Sequence, residues 1–265
     1  MARALILGAG DIGSAAALRL RATGHSVVLH DLPRPFHPRR GMSFTDAFFD
    51  EPCTLEGLFA KRASGAERLA KMLACGGALP VTDAELGNVI AAMQPDLLVD
   101  AHVHKHGVAP DLRERAPFTI GLGPGFQAGR NADIVIETAW GETLGRAYRA
   151  GEALVYAGEP RALGGHGRER YVYAAAAGLF RTTLAIGDAV QRGAVVAHID
   201  DFPVTAPLTG ILRGLTHDGA RVCAGTKVVE VDPRGDRAAA FGVGERPARI
   251  ALGVIEAIAA LAERD

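Results

Sequence analysis

Lysine is scarce in this chain: only Lys61, Lys71, Lys105 and Lys227 carry an ε-amine among 29 basic residues. Cysteine is scarcer still. Cys53, Cys75 and Cys223 lie far apart with no Cys-x-x-Cys pair, which excludes a zinc knuckle or a disulfide framework. Aromatic residues make up 6% of the sequence, so backbone turns must do work that aromatic platforms do elsewhere. No charge of one sign dominates: the formal net charge is -1, which argues against a nucleic-acid partner. No apolar run approaches the ~20 residues of a membrane span, so no membrane partner is expected. The first apolar run, Ala4–Leu7, is too short and too soon followed by glycines to be a signal-peptide core, and the expected location is the cytoplasm.

What the chain has in quantity is glycine, 33 residues in 265, and ordinary globular hydrophobicity at 48%. Ala4–Leu7 reads as a buried strand. It runs into Gly8-Ala9-Gly10-Asp11-Ile12-Gly13, then a helix-forming stretch to Leu20, a second strand at Ser26–His30, and Asp31. Strand, GxGxxG, helix, strand and acid in that order match a dinucleotide-binding turn. Gly8, Gly10 and Gly13 would let backbone approach a phosphate, Asp11 would open the helix, and Asp31 would hold a ribose hydroxyl. The bland alternative is a glycine turn kept for packing. Arg39 and Arg40, among the prolines that follow, suit a phosphate or a solvated loop equally.

Further strands are expected at Thr54–Ala60, Leu97–Asp100, Phe118–Ile120 and Ile134–Glu137. Helices are expected at Gly65–Cys75 and, opened by a capping box Thr82-Asp83-Ala84-Glu85, up to Met93. The alternation predicts a mostly parallel sheet. Two loops at strand ends could carry chemistry. In Asp100-Ala101-His102-Val103-His104-Lys105-His106, the imidazoles of His102, His104 and His106 alternate and would share a face, a pattern that suits zinc, nickel or iron. In Gly121-Leu122-Gly123-Pro124-Gly125-Phe126, Gly123 and Gly125 could shape an anion nest. If both glycine loops follow strands of one parallel sheet, they converge on one anionic ligand, with Arg39, Arg40 and Lys105 in reach.

The second half contains a repeat. Gly178-Leu-Phe-Arg181 returns as Gly210-Ile-Leu-Arg213, and the same offset of 32 matches Gly187 with Gly219, Gly193 with Gly225 and Asp200 with Asp232. Two such halves can close on each other as in biotinyl and lipoyl carrier modules, the barrel-sandwich hybrids. The turn between the halves, Asp200-Asp201-Phe202-Pro203, has no lysine, so neither biotin nor lipoate is expected. A last helix, Ala248–Leu261, with Ile250, Val254, Ile255 and Ile258 on one face, would pack back onto the first part. The expected fold class is therefore α/β: a Rossmann-like domain over residues 1–163, a barrel-sandwich-hybrid module over 164–232, and a C-terminal extension over 233–265.

In these pieces the chain resembles the accessory family linked to selenium-dependent molybdenum hydroxylases, the YqeB type. The likeness spans nearly the whole length. It is carried by Gly8–Gly13 with Ala17–Leu20, Arg39-Arg40 with Ser43-Phe44, Pro95–Ala101, Gly121–Phe126, Ile136–Thr138 with Leu144–Arg146, Gly164-Gly165 with Glu169-Arg170, and Ala206-Pro207 with Gly210. The three-histidine run departs from the family pattern. The resemblance implies an accessory role in maturing a molybdenum hydroxylase, with that client or other maturation proteins as partners. It also implies a nucleotide or molybdopterin-type anionic ligand, and a homo-oligomer is compatible with it. Two other classes stay open from the residues: an NAD(P)-dependent oxidoreductase, which lacks an evident acid/base pair, and a metal-dependent hydrolase built on His102, His104 and His106.

Overall fold

The computed structural model describes residues 1–105, 107–158 and 160–262. Its centre is a large sheet. The strands, in chain order, are β1 (Arg3–Leu7), β2 (Ser26–His30), β3 (Cys53–Leu55), β4 (Leu58–Arg62), β5 (Leu79–Thr82), β6 (Leu97–Asp100) and β7 (Phe118–Leu122). Past the short β8 (Gln127–Ala128) come β9 (Ile134–Ile136), β10 (Ala147–Tyr148) and β11 (Gly151–Glu152), the last paired with β8 outside the large sheet. The spatial order is β10-β9-β7-β6-β1-β2-β5-β4-β3. The interior strands run parallel, and β3 and β10 close the two edges antiparallel.

The helices are α1 (Asp11–Ala22), α2 (Ala66–Cys75), α3 (Leu86–Met93) and α4 (Glu245–Ala262). β1 is apolar throughout because it is covered on both faces. Ala4 and Ile6 face a core shared with Leu20 of α1 and Ile250 and Val254 of α4. Leu5 and Leu7 face another, shared with Leu69 of α2 and Val89 and Met93 of α3. Ile255 and Ile258 flank the first core, so the last helix does return to the start of the chain.

The expected fold class, a Rossmann-like domain joined to a biotinyl/lipoyl-like barrel-sandwich module, is corrected here. The large sheet is mostly parallel, as the alternation predicts, but its edge strands β3 and β10 run antiparallel. Among the described residues no helix crosses from β6 to β7 or from β7 to β9, and the face beside α1 is covered by α4 from the far end of the chain. The strand–turn–helix–strand start is thus a local unit inside a larger mixed sheet. Nor does the second half stand apart as a carrier module would. The Leu215 N–H donates to the Pro38 carbonyl at 2.7 Å, and Arg39 is ion-paired to Glu230 at 2.8 Å. Smaller corrections follow the same logic. Thr54–Ala60 is a tight hairpin, because Glu56 and Gly57 adopt positive φ and turn the chain. The capping box is absent: Thr82 ends β5, and the Glu85 carboxylate caps α3 by accepting the Gly87 and Asn88 N–H groups, both at 2.8 Å.

The second half forms two four-stranded antiparallel sheets. Its strands are β12 (Tyr171–Tyr173), β13 (Gly178–Arg181), β14 (Ala189–Val190), β15 (Val195–Ile199), β16 (Phe202–Thr205), β17 (Gly210–Leu215), β18 (Arg221–Val222) and β19 (Lys227–Asp232). The orders are β12-β19-β17-β14 and β16-β15-β13-β18. Strands 32 residues apart take equivalent places. The repeated pair Gly178 and Gly210 has a common cause: a Cβ on Gly178 would lie 2.5 Å from the Asp200 carboxylate, and one on Gly210 would lie 2.2 Å from the Asp232 carbonyl. Among the described residues no helix is long and apolar enough to cross a membrane.

Candidate functional site

β1, β6 and β7 are parallel neighbours, so the loops leaving them share the carboxyl edge of the sheet. There a crevice of about 900 Å³ opens, walled by those loops, by residues 154–158 and 160–171, by β17 and β19, and by the start of α4.

The first glycine turn borders the crevice but is filled by the chain itself. A Cβ on Gly13 would lie 1.8 Å from the Gly8 carbonyl oxygen, so α1 sits directly on the turn. Gly8, at φ +96°, packs on the Ala101–His102 peptide, and Gly10 faces the His37 imidazole. Asp31 is buried, and both its oxygens are engaged. Oδ2 accepts from the Ala9 N–H at 2.6 Å and from His37 Nε2 at 2.7 Å, and Oδ1 accepts from the Leu32 N–H at 2.7 Å. Burial acts to raise its pKa and is outweighed by His37 and the two N–H groups, which hold it below the ordinary range. Asp31 therefore positions His37 and the turn, and each of its oxygens already accepts at least one hydrogen bond.

The two arginines diverge. Arg39 lines the crevice but is already matched, to Asp11 at 2.8 Å and to Glu230 at 2.8 and 3.2 Å. Arg40 turns away, donating to the Leu215 carbonyl and to Asp46, both at 2.9 Å. In the second glycine loop, Gly123 and Gly125 hold positive φ. The Gly123 N–H donates to the Ile136 carbonyl at 2.9 Å, and a Cβ at Gly123 would lie 2.4 Å from Thr138 Oγ1. This loop reaches the crevice through Pro124.

The histidine loop makes a compact cluster. Asp100 is buried at the end of β6. Its Oδ1 faces His102 Nδ1 at 2.9 Å and the His102 N–H at 2.9 Å, and its Oδ2 faces His104 Nε2 at 3.0 Å. The ligand-type atoms of the three residues all lie within 4.8 Å of one another. Val103, between the imidazoles, takes φ +55°, a conformation a β-branched residue adopts only when its surroundings impose it. Burial works against the Asp100 charge, but its hydrogen bonds to both histidines pull its pKa far below the usual carboxylate range. His102 moves the other way: burial disfavours its charge, and the Asp100 carboxylate more than restores it. His104 rests edge-on against Phe126, ring centroids 5.5 Å apart. His106 lies outside the described residues. Two imidazoles and one carboxylate suit zinc, manganese, iron or nickel, and three protein donors leave positions open, as catalytic centres do. The residues present fit such an ion.

The alternation of histidines was readable in the sequence; Asp100 as their common partner was not, although it stands two residues before His102. The opposite wall was unreadable. It draws on Arg161, Arg168 and Arg170, on Arg213 and Lys227 of the repeat strands, and on Arg246 of α4. Arg170 and Lys227 both reach the buried Glu230, at 2.9 and 3.1 Å. Burial, then repulsion from Arg39 working against the attraction of Glu230, brings Lys227 down to about 8. Arg213 and Arg246 are lowered mainly by burial, with Arg39 again opposing their charge.

No protein-family model matches the chain. Among solved structures, a succinylglutamate desuccinylase from Silicibacter is similar at 14% identity and a TM-score of 0.26, over 87% of this chain and 84% of that one. A succinylglutamate desuccinylase/aspartoacylase from Rhodobacter sphaeroides is similar at 16% identity and a TM-score of 0.26, over 87% and 85%. Over 254 residues the chain is 37% identical to the uncharacterized protein YqeB of Escherichia coli (strain K12), covering 96% of this chain. That alignment takes in 47% of the relative, so the chain spans about half the length of the curated protein it matches. The chain is similar, along nearly all of its own length, to a YqeB-type protein.

Proposed function

We propose that this chain is a metal-dependent hydrolase whose centre is Asp100, His102 and His104. The observation that carries the reading is the convergence of one carboxylate and two imidazoles within 4.8 Å, beside a crevice large enough for a small-molecule substrate. A divalent cation held there supplies Lewis acidity and lowers the pKa of water. The chain's own residues do the rest. Asp100 stays ionised and orients both imidazoles. His37, fixed by Asp31 at 2.7 Å, lines the same crevice and can accept or return a proton. The cationic wall would hold the anionic part of a substrate.

The test is titration of the purified chain with zinc, manganese and nickel by calorimetry, with metal analysis of natively purified protein. One ion per chain is expected, lost in Asp100→Asn and His102→Ala while the fold persists by circular dichroism. Hydrolysis of a panel of ester, amide and phosphoester substrates should require that ion. Absence of stoichiometric binding by every metal tried would overturn the reading.

A further inference from the structure

The crevice carries far more positive charge than its own acids neutralise. Among the described residues, nine lysine and arginine side chains line it. Among the described residues they pair with four carboxylates, those of Asp11, Glu230, Asp232 and Glu245. Lys105, Arg168 and Arg246 have no carboxylate within ion-pair distance among the described residues. Lys105 lies over the face of Tyr156, Arg168 donates to the Tyr173 hydroxyl and the Gly158 carbonyl, and Arg246 donates to the Thr138 carbonyl. Arg213 stands 3.8 Å from Asp232, and its buried Nε has no partner. In a chain whose net charge is -1, this surplus is concentrated in one place.

Aromatic residues are concentrated there too. The single tryptophan, Trp140, and three of the four tyrosines, Tyr156, Tyr171 and Tyr173, line the same crevice. Trp140 lies under the Arg161 guanidinium at 4.7 Å and is 39% exposed, so one ring face is held by the protein while the residue stays open to the crevice.

We propose that this crevice binds a small molecule bearing a diphosphate or two separate phosphates together with a planar ring, the phosphates seated among Lys105, Arg213 and Arg246 and the ring against Trp140. The charge decides the class. Among the described residues the surplus of about five positive charges exceeds what a dicarboxylate brings, whereas a diphosphate brings about three negative charges and many acceptor oxygens for guanidinium forks. The volume decides the rest: about 900 Å³ is far more than inorganic phosphate fills. Only in calling the ligand a substrate does the proposal rest on the hydrolase reading; binding needs no metal.

The experiment is calorimetric titration of the metal-free full chain with pyrophosphate, ADP and succinate at fixed ionic strength. Pyrophosphate is expected to bind at least tenfold more tightly than succinate, and ADP more tightly than pyrophosphate. Arg246→Gln and Lys105→Gln should each weaken pyrophosphate binding tenfold or more and leave metal binding unchanged. Asp100→Asn should abolish metal binding and leave pyrophosphate binding unchanged, which separates this proposal from the hydrolase reading. Trp140→Ala should remove the advantage of ADP over pyrophosphate. Succinate binding as tightly as pyrophosphate, or unaltered affinity in both cation variants with their fold intact, would overturn the phosphate class. Equal affinity for ADP and pyrophosphate would overturn the ring.

Discussion

Glu230 in β19 accepts two hydrogen bonds from Arg39, 191 residues earlier in the chain, at 2.8 and 3.2 Å. The carboxylate is fully buried and also takes Arg170 at 2.9 Å and Lys227 at 3.1 Å. Three cations from three segments depend on one anion, so the pairing fixes the small sheets against the loop that follows β2. Replacing Glu230 with Ala should cost about 3–5 kcal/mol, because breaking a buried pair leaves uncompensated charge behind. Urea unfolding measures this directly; a loss below about 1 kcal/mol would show that water or another anion takes over the carboxylate's place.

Glu137 is another buried carboxylate with a structural task. It accepts N–H bonds from Thr138 and Ala139, both at 2.7 Å, and from Leu154 at 2.8 Å, tying together both ends of the segment that carries Trp140. Glu137→Gln would set an amide N–H₂ against these donors and should destabilise by about 2 kcal/mol. Amide exchange at Leu154 should accelerate more than exchange in β1. Equal acceleration at the two places would mean that the loss is global.

Gly13 and Gly253 mark the two tightest backbone approaches at helices. A Cβ would stand 1.8 Å from the Gly8 oxygen in the first case and 1.9 Å from the Gly145 oxygen in the second. Since backbone, not a side-chain tip, is in the way, Gly13→Ala and Gly253→Ala should each lower stability by about 3 kcal/mol. Thermal unfolding of the two single variants checks this, and no change in midpoint would contradict it.

Asp31 supplies a pH dependence of known sign. Its folded pKa is depressed, so its contribution is fully present above the unfolded value of about 3.9 and fades as pH falls through the folded value below that. The stability gap between the wild type and Asp31→Asn should close as pH falls below about 4. A gap that widened in acid would reverse the sign and refute the assignment.

Local signals in the sequence were read well, and long-range ones were not. β1, α1 and β2 follow from an apolar run, a glycine turn and an alanine-rich stretch, all neighbours in the chain. Asp31 is legible from its position after β2, but that position does not reveal its contact with His37. The glycine spacings were legible, but spacing cannot separate close packing from close approach of a ligand; Gly8, Gly13 and Gly123 pack. The mixed edges of the large sheet escaped notice because two-residue strands such as β10 have no periodicity to detect. The cationic wall escaped for a different reason. Arg161, Arg213 and Arg246 are far apart in the chain and meet only after the small sheets dock.

The 32-residue repeat has a consequence for how this half of the molecule can be divided. β14 of the first copy pairs with β17 of the second, and β18 of the second pairs with β13 of the first. Each sheet is thus woven from both copies, two strands from each. Cutting the chain near Pro207 would leave each copy with orphaned strand edges, so neither copy should complete the two small sheets by itself and both together should restore them by complementation. A lone copy can satisfy its edges only by embracing a twin. The tandem arrangement is, in effect, an exchange-swapped homodimer whose two subunits have been spliced into a single polypeptide.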